Sequence, residues 1–253
     1  EKNLKVFREK DLRALKARIH KIERPKKRRS ESLTLGLKAI DSTLPEGGIA
    51  SSAVHEVTGS SGNGFAAFLA GQACRSNKPI LWCVEGDSSK MLYGPGLLVF
   101  GVKMELLIMA RCRGTDEILW AMEEGLREKS IGLVVGGLSK SVSLTASRRL
   151  QLAAEAGCTI GLILHDGLSE EIVAPSAVTT RWRVNSLPTL KNGTMNNKTH
   201  WGLSLCRCRS VAKKRSWDVE WDNATNTLAL VSDAKCGTLA SSNKVCLKNK
   251  KII

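Results

Sequence analysis

Short apolar runs alternate with amphipathic segments through the middle of the chain. The runs are rich in Val, Ile and Leu and predict strands, whereas the segments between them carry apolar residues at helical spacing. The strands are predicted at 53–57, 80–85, 106–110, 131–136 and 159–164, and the helices at 65–75, 91–100, 116–129 and 145–157. Because strands that alternate with helices form parallel sheets covered by helices on both faces, the pattern predicts an α/β fold.

After residue 178 the pattern changes to an alternation with a period of two. The segments that show it are 181–184, 201–209, 216–221 and 227–231. In one of them Trp217, Val219 and Trp221 share a face, and acidic residues share the other face. Such alternation predicts antiparallel strands that complete the sheet.

The net charge of +15 is concentrated at the ends of the 253-residue chain. Residues 1–30 hold 13 Lys/Arg against 4 Asp/Glu, residues 233–253 hold 5 against 1, and residues 31–232 hold 21 against 19. We therefore expect a basic N-terminal helix and linker, a core domain, and a basic, flexible C-terminal tail. The predicted DNA contacts are consecutive residues of the N-terminal arm: Lys26, Lys27, Arg28 and Arg29. The nearly neutral core argues against a broad DNA-binding face.

Cysteine usage bears on metal binding and on compartment. The eight cysteines lie mostly within apolar runs, and only Cys206 and Cys208 are close together. Without a C-x-x-C pair we expect no metal site, and reduced thiols that pack as small hydrophobic groups. No apolar run reaches the roughly 18 residues of a membrane span, and no secretory signal opens the sequence. We expect a cytoplasmic protein with no membrane partner.

The segment GSSGNGFA, residues 59–66, joins the first predicted strand to the first predicted helix. A strand, a glycine-rich turn and a helix are the usual setting of a phosphate-binding loop, G-x-x-x-x-G-K-S/T. Gly59 and Gly64 fit this pattern, but Phe65 replaces the lysine and Ala66 replaces the magnesium-binding hydroxyl. The carboxylate that orders magnesium after a later strand is also missing, because Gly136 follows the run IGLVV.

Three interpretations of this segment compete. A working phosphate loop needs the missing lysine and hydroxyl, although its backbone amides could remain. A dinucleotide fingerprint is matched by Gly62, Gly64 and Ala67, with Glu85 where a ribose-binding carboxylate would lie. The third interpretation is structural: the glycines shape a turn and Phe65 packs in the core. We favour the third and expect no cofactor and no catalytic residue, with an atypical ATPase or an NAD-dependent oxidoreductase as the alternative.

Residues 33–70 resemble the opening of the RecA-like ATPase core, in which a G-x-x-x-L-D-x-L-L-x-x-G-G-L-x-x-G type of segment precedes a strand and the phosphate loop. Within that superfamily, further stretches resemble the ImuA family of bacterial inducible mutagenesis. They are MLYGPGLLVFGV (91–102), DEILWAMEEGL (116–126), LTASRRLQLAAEAG (144–157), SAVTTRWRV (176–184) and SWDVEWD (216–222). The resemblance covers most of the chain and implies a mostly parallel RecA-like core over 31–232 with antiparallel C-terminal strands.

The resemblance also implies a function. It suggests a non-catalytic adaptor in DNA damage-induced mutagenesis and error-prone translesion synthesis. The implied partners are an ImuB-like polymerase-related protein, an error-prone replicative-type DNA polymerase and RecA. In RecA-like ATPases a glutamate after the second core strand activates water, and Glu85 has that place without a bound phosphate to act on. A basic pair that RecA-like filaments present to the neighbour's nucleotide is matched by Arg207 and Arg209.

Residues 9–23 carry one apolar seam on an otherwise charged helix. The seam recurs at three-four-three spacing and consists of Leu12, Leu15, Ile19 and Ile22. So short a helix has little reason to fold unless its seam is buried. Either the seam packs on its own domain, or, as the resemblance implies, it forms with Arg207 and Arg209 a surface that binds another copy or a RecA-like partner.

Replacing Leu15 and Ile19 together with Asp separates these two arrangements. For an interface seam we expect loss of assembly or partner capture, measured by light scattering and pull-down, with the thermal unfolding of the core nearly unchanged. A drop of several kcal/mol in core stability, as about 2–5 kcal/mol for each buried aliphatic would predict, would instead place the helix on its own domain.

Overall fold

The computed structural model describes residues 32–86, 92–165, 175–188, 198–209 and 214–232. The predicted N-terminal seam, the basic run 26–29 and the C-terminal tail lie outside these residues. Within the described ranges, no helix is both long and apolar enough to cross a membrane.

Strands and helices alternate through the core largely as the sequence pattern predicts. The first strands are β1 (Ala53–Thr58), β2 (Ile80–Glu85), β3 (Leu107–Cys112), β4 (Leu133–Leu138) and β5 (Ile160–His165). The helices are α1 (Lys38–Asp41), α2 (Gly62–Cys74), α3 (Gly94–Leu98), α4 (Thr115–Arg127) and α5 (Leu144–Gly157). The last strands are β6 (Thr180–Ser186), β7 (Lys198–Cys208), β8 (Arg215–Asp222) and β9 (Thr227–Ser232).

These strands form one sheet in the order β3-β2-β4-β5-β1-β6-β7-β8-β9. Strands β1 to β5 are parallel, and β7, β8 and β9 continue the sheet with antiparallel pairing. The prediction of antiparallel strands after residue 178 was wrong for one partner of β6, which pairs in parallel with β1 and antiparallel with β7. The predicted fold class, a mostly parallel sheet with antiparallel C-terminal strands, is confirmed.

Each face of the sheet has its own apolar core. On the α2 face, α2 packs against Val57, Trp82 and Trp182 and against the apolar side of β7 and β8. On the α5 face, α4 and α5 pack against Val54 and Ile163. The helices therefore lie on both faces, as expected.

One boundary, one additional helix and one stripe refine the sequence prediction. Helix α2 begins at Gly62 rather than at residue 65, because the carbonyl of Ser61 already accepts the N–H of Phe65 at 3.0 Å. The short helix α1 was not predicted. On α4 the predicted stripe is buried at Ile118, Met122 and Leu126, whereas Leu119 is only partly buried.

A chain of polar contacts joins β1 to β6 inside the core. The Trp182 indole N–H donates to Thr180 Oγ1 at 2.9 Å, and Thr180 Oγ1 lies 2.7 Å from His55 Nδ1. His55 Nε2 lies 2.9 Å from the carbonyl oxygen of Ala50, so Nε2 carries the proton and Nδ1 accepts. Burial lowers the pKa of His55 to about 4, so the ring is neutral in the folded protein.

This histidine makes the stability of the fold sensitive to acid. Its pKa in the unfolded chain is near 6.5, so below that pH the unfolded chain binds a proton that the folded chain binds only near pH 4. The stabilisation by neutral His55 is complete above the pKa of the unfolded chain. It is lost as the pH falls through about 4, the pKa of His55 in the folded protein. Between pH 7.5 and pH 5 we expect the free energy of unfolding to fall by about 2 kcal/mol more in the native protein than in a His55→Gln variant. Urea titrations across this range provide the measurement, and equal pH dependences would contradict the assignment.

Candidate nucleotide site

The turn between β1 and α2 is bonded to the end of β6. The N–H of Ser61 donates to the carbonyl of Val184 at 3.0 Å, and the N–H of Ser60 donates to Oδ1 of Asn185 at 3.3 Å. In return, the N–H of Ser186 donates to the Ser60 hydroxyl oxygen at 3.1 Å. Two backbone amides of the loop, those of Ser60 and Ser61, therefore have partners within the chain.

Gly59 is required by this contact rather than by a ligand. Its φ of +100° lies in a region that residues with a side chain rarely adopt. A Cβ at this position would collide with the carbonyl oxygen of Val184 and lie 2.6 Å from Asn185 Oδ1. The glycine thus allows the turn to approach β6 closely.

Phe65, which stands at the lysine position, belongs to an aromatic cluster on the α2 face. Its ring is fully buried, with centroid distances of 5.9 Å to Phe68, 6.1 Å to Trp182 and 6.2 Å to Trp201. Ala66, at the hydroxyl position, is also fully buried. These residues attach the first turn of α2 to the sheet, as the structural interpretation predicts.

The glycines of the dinucleotide fingerprint face the same interior. A Cβ on Gly64 would lie 3.3 Å from Trp201 Cζ2, and a Cβ on Gly62 would lie 3.4 Å from Val57 Cγ1. Gly62 and Gly64 sit in the first turn of α2 rather than in the turn that precedes it. Gly64 thus lies close to the chain's own Trp201, whereas a Cβ on Gly62 would make an ordinary van der Waals contact with Val57.

Glu85 ends β2 and lines an open cavity of about 460 Å³. The cavity lies at the carboxyl ends of β2 and β4, and Arg113, Asp116 and Lys140 also line it. Gly136 stands where a working phosphate-loop protein has its magnesium-ordering carboxylate. A Cβ at this position would collide with the Met122 thioether of α4. Among the residues in the described ranges, no group of three or more His, Cys, Asp or Glu side chains could hold a metal ion.

Comparison with known proteins identifies the family. No protein-family model matches the chain. Protein ImuA from each of two strains of Caulobacter vibrioides is 31% identical over 195 residues, which cover 70% of this chain and 78% of the relative. The chain belongs to the ImuA family. The family resemblance found in the sequence is confirmed.

A solved structure places the ImuA-family chain in a fold class. A crystal structure of the RadB recombinase matches it with a TM-score of 0.56 and 16% sequence identity, covering 79% of this chain and 100% of that chain. At this identity the likeness shows the fold alone, which is the RecA-like core that the sequence predicted.

The predicted interface arginines do not join the turn after β1. Arg207 of β7 is paired with Arg181 of β6. Arg181 precedes Val184, the residue bonded to the turn, by three residues, or about 10 Å along the strand. The Arg207 Nη1 donates to the carbonyl of Ser176 at 2.8 Å, and the N–H of Arg209 donates to the carbonyl of Thr179. Both arginines are exposed.

A buried ionic cluster on the α5 face was missed by the sequence reasoning. Glu56 of β1 is almost fully buried, and Arg181 Nε donates to its carboxylate at 2.6 Å, while His165 Nε2 lies 3.5 Å from the other oxygen. Burial raises the pKa of Glu56, but the contact with His165 and the charge of Arg181 outweigh it and hold this pKa below its usual value. A carboxylate inside the apolar run SAVHEV was the available signal.

The packing of Phe65 can be tested by restoring the lysine of the phosphate loop. Phe65→Lys should lower the free energy of unfolding by about 4 kcal/mol or more, because it removes an aromatic side chain from the core and buries an ammonium group there. Phe65→Leu, the matched control, should cost about 1 kcal/mol. Urea unfolding followed by tryptophan fluorescence gives both values. A Lys variant as stable as the native chain would contradict the buried position of this side chain.

Proposed function

We propose that this chain is a non-catalytic RecA-like adaptor in DNA damage-induced mutagenesis and error-prone translesion synthesis. The observation that carries the proposal is the closure of the turn after β1 against β6, together with Phe65 in the aromatic cluster. Membership of the ImuA family supports the biological setting.

The physical argument concerns charge. Phosphoryl transfer depends on fixed positive charge and on magnesium to stabilise the charge that develops on the phosphate. Here the lysine and hydroxyl positions are occupied by buried Phe65 and Ala66. The amides of Ser60 and Ser61 already have acceptors. Glu85 therefore has no polarised phosphate beside it.

The same contacts disfavour the oxidoreductase alternative. A dinucleotide fingerprint works because its glycines let a pyrophosphate approach the backbone. In this chain Trp201 and Val57 occupy the space beside Gly64 and Gly62.

The proposed partners are an ImuB-like polymerase-related protein and an error-prone replicative-type DNA polymerase, with RecA as a third. Pull-downs of these proteins by the full chain, with and without ATP and magnesium and with and without DNA, test the adaptor role. We expect capture that does not depend on ATP. The Leu15→Asp/Ile19→Asp variant in the same pull-downs shows whether capture uses the N-terminal seam.

An ATPase assay completes this prediction. We expect turnover at the background level, equal in the native chain and in Glu85→Ala, because the charge stabilisation of phosphoryl transfer is missing. Reproducible turnover that Glu85→Ala abolishes, or capture that requires ATP, would contradict the proposal. Micromolar binding of NAD that depends on Gly62 and Gly64 would favour the oxidoreductase instead.

A further inference from the structure

The α5 face of the C-terminal strands carries polar side chains. Helices α4 and α5 pack over β1 to β5, whereas Trp182, Trp201 and Trp217 turn the apolar side of β6 to β8 toward α2. Side chains alternate along a strand, so the neighbours of each tryptophan on its own strand lie on the α5 face. Ser204 and Ser216 are opposite each other there, with their hydroxyl oxygens 2.9 Å apart. In the described ranges this part of the face is polar.

Strand pairing gathers arginines at one end of this surface. We call this group the arginine patch; it consists of Arg181, Arg183, Arg207 and Arg209. Arg181 and Arg207 are direct partners across β6 and β7, and neighbouring strands lie about 4.8 Å apart. Because β6 and β7 are antiparallel, Arg183 and Arg209 lie on opposite sides of this pair, each two residues from it along the chain. The nearly neutral average charge of residues 31–232 conceals this local concentration.

The glutamates on the same face are engaged with basic side chains, and Asp218 lies opposite Gly202 of β7, five residues from Arg207 along that strand. Glu56 pairs with Arg181. Glu220, further along β8, lies 2.5 Å from Lys198 Nζ and 2.7 Å from His200 Nε2. Among the described residues, neither Arg207 nor Arg209 pairs with a carboxylate. The exposed Arg207 and Arg209 therefore keep positive charge that no carboxylate in the described ranges neutralises.

Ser176 holds two of the patch guanidinium groups in place. Its hydroxyl oxygen accepts from Arg181 Nη2 at 3.0 Å, and its carbonyl accepts from Arg207 Nη1 at 2.8 Å. Groups fixed before binding lose less conformational entropy when a ligand arrives. Arginine is also the side chain best suited to bidentate contact with phosphate.

We propose that the arginine patch binds the phosphate backbone of a nucleic acid. Arg207 and Arg209 are exposed, and the arginines extend over two neighbouring strands, which suits a polymer that crosses them. Its serines suit wet phosphate contacts, whereas the cores of protein interfaces are enriched in aromatic side chains. The inference goes beyond the adaptor role, and it adds a site on the core to the basic run predicted on the N-terminal arm.

Fluorescence anisotropy with the full-length chain tests the patch. The probes are a labelled 30-nucleotide single strand and the corresponding duplex, titrated between 50 and 300 mM KCl. The slope of log K against log salt is negative for phosphate binding. Arg207→Ser/Arg209→Ser should make it less steep by about 1.8 on the duplex and about 1.4 on the single strand, as two lost phosphate contacts predict. Comparison of the two probes shows which form of DNA the patch prefers.

Two matched variants make the result specific. Lys38→Ser/Arg75→Ser removes the same charge from exposed positions on the helices of the opposite, α2 face and should change the slope by less than half as much. Replacing residues 26–29 with Ser in the full chain removes the arm's basic run, and the patch effect should persist in that background. Arg207→Lys/Arg209→Lys keeps the charge and should retain most of the slope.

Several results would overturn the proposal. They are an effect of the patch variant no larger than that of its control, an effect that disappears without the basic run, and Lys variants that bind as weakly as the Ser variants. Because Arg207 also anchors Ser176, Arg209→Ser alone, compared with Arg209→Lys, gives the answer if the double variant unfolds. Loss of partner capture with unchanged DNA affinity would assign the patch to a protein and leave the adaptor function standing.

Discussion

The packing of helix α2 against the sheet is the interaction on which the rest of the structure depends. In a nucleotide-binding protein the start of the corresponding helix is tied to its ligand as well as to the sheet. In this chain Phe65 and Phe68 insert among Trp182, Trp201 and Trp221, so aromatic contacts fix the helix without a ligand. Aromatic pairs at such distances add about 0.5–1.5 kcal/mol each beyond the burial of their area.

The boundary between β1 and β6 carries the second constraint. The parallel and antiparallel parts of the sheet meet there, and polar contacts join the two strands on both faces of the sheet. His55 and Thr180 form a neutral chain of hydrogen bonds, and Glu56 and Arg181 form a buried ion pair on the next residues. Because a charge left buried without its partner is costly, these contacts specify the register of β6 as well as its place.

Much of this arrangement follows from the sequence. The periods of two and 3.6 residues located most strands and helices, and the buried faces of Trp217 and Ile118 follow from the same rule. Phe65 in place of a lysine indicated a packed residue, because an aromatic ring gains by burial where an ammonium group loses. The start of α2 was misplaced, since glycine has poor helix propensity and tertiary contacts override it at Gly62 and Gly64.

Other features were hidden because they depend on long-range pairing. Asn185 is 125 residues from Ser60, and nothing local marks it as the acceptor of that amide. Likewise, Arg181 and Arg207 lie in separate segments whose average charge is unremarkable, and only the register of β6 and β7 brings them together. Parallel pairing of β6 with β1 could not be deduced from alternation, which gives the period of a strand but not its direction.

The bonding of the turn to β6 couples substitutions that lie far apart in the sequence. A lysine at residue 65 would enter an aromatic core while Ser60 and Ser61 stayed bound to Asn185 and Val184. A side chain at position 136 would further require Met122 to move. Each of these changes alone places a side chain where the present packing has no room for it. Gain of a phosphate loop by single substitutions would therefore lower the stability of the core at each step.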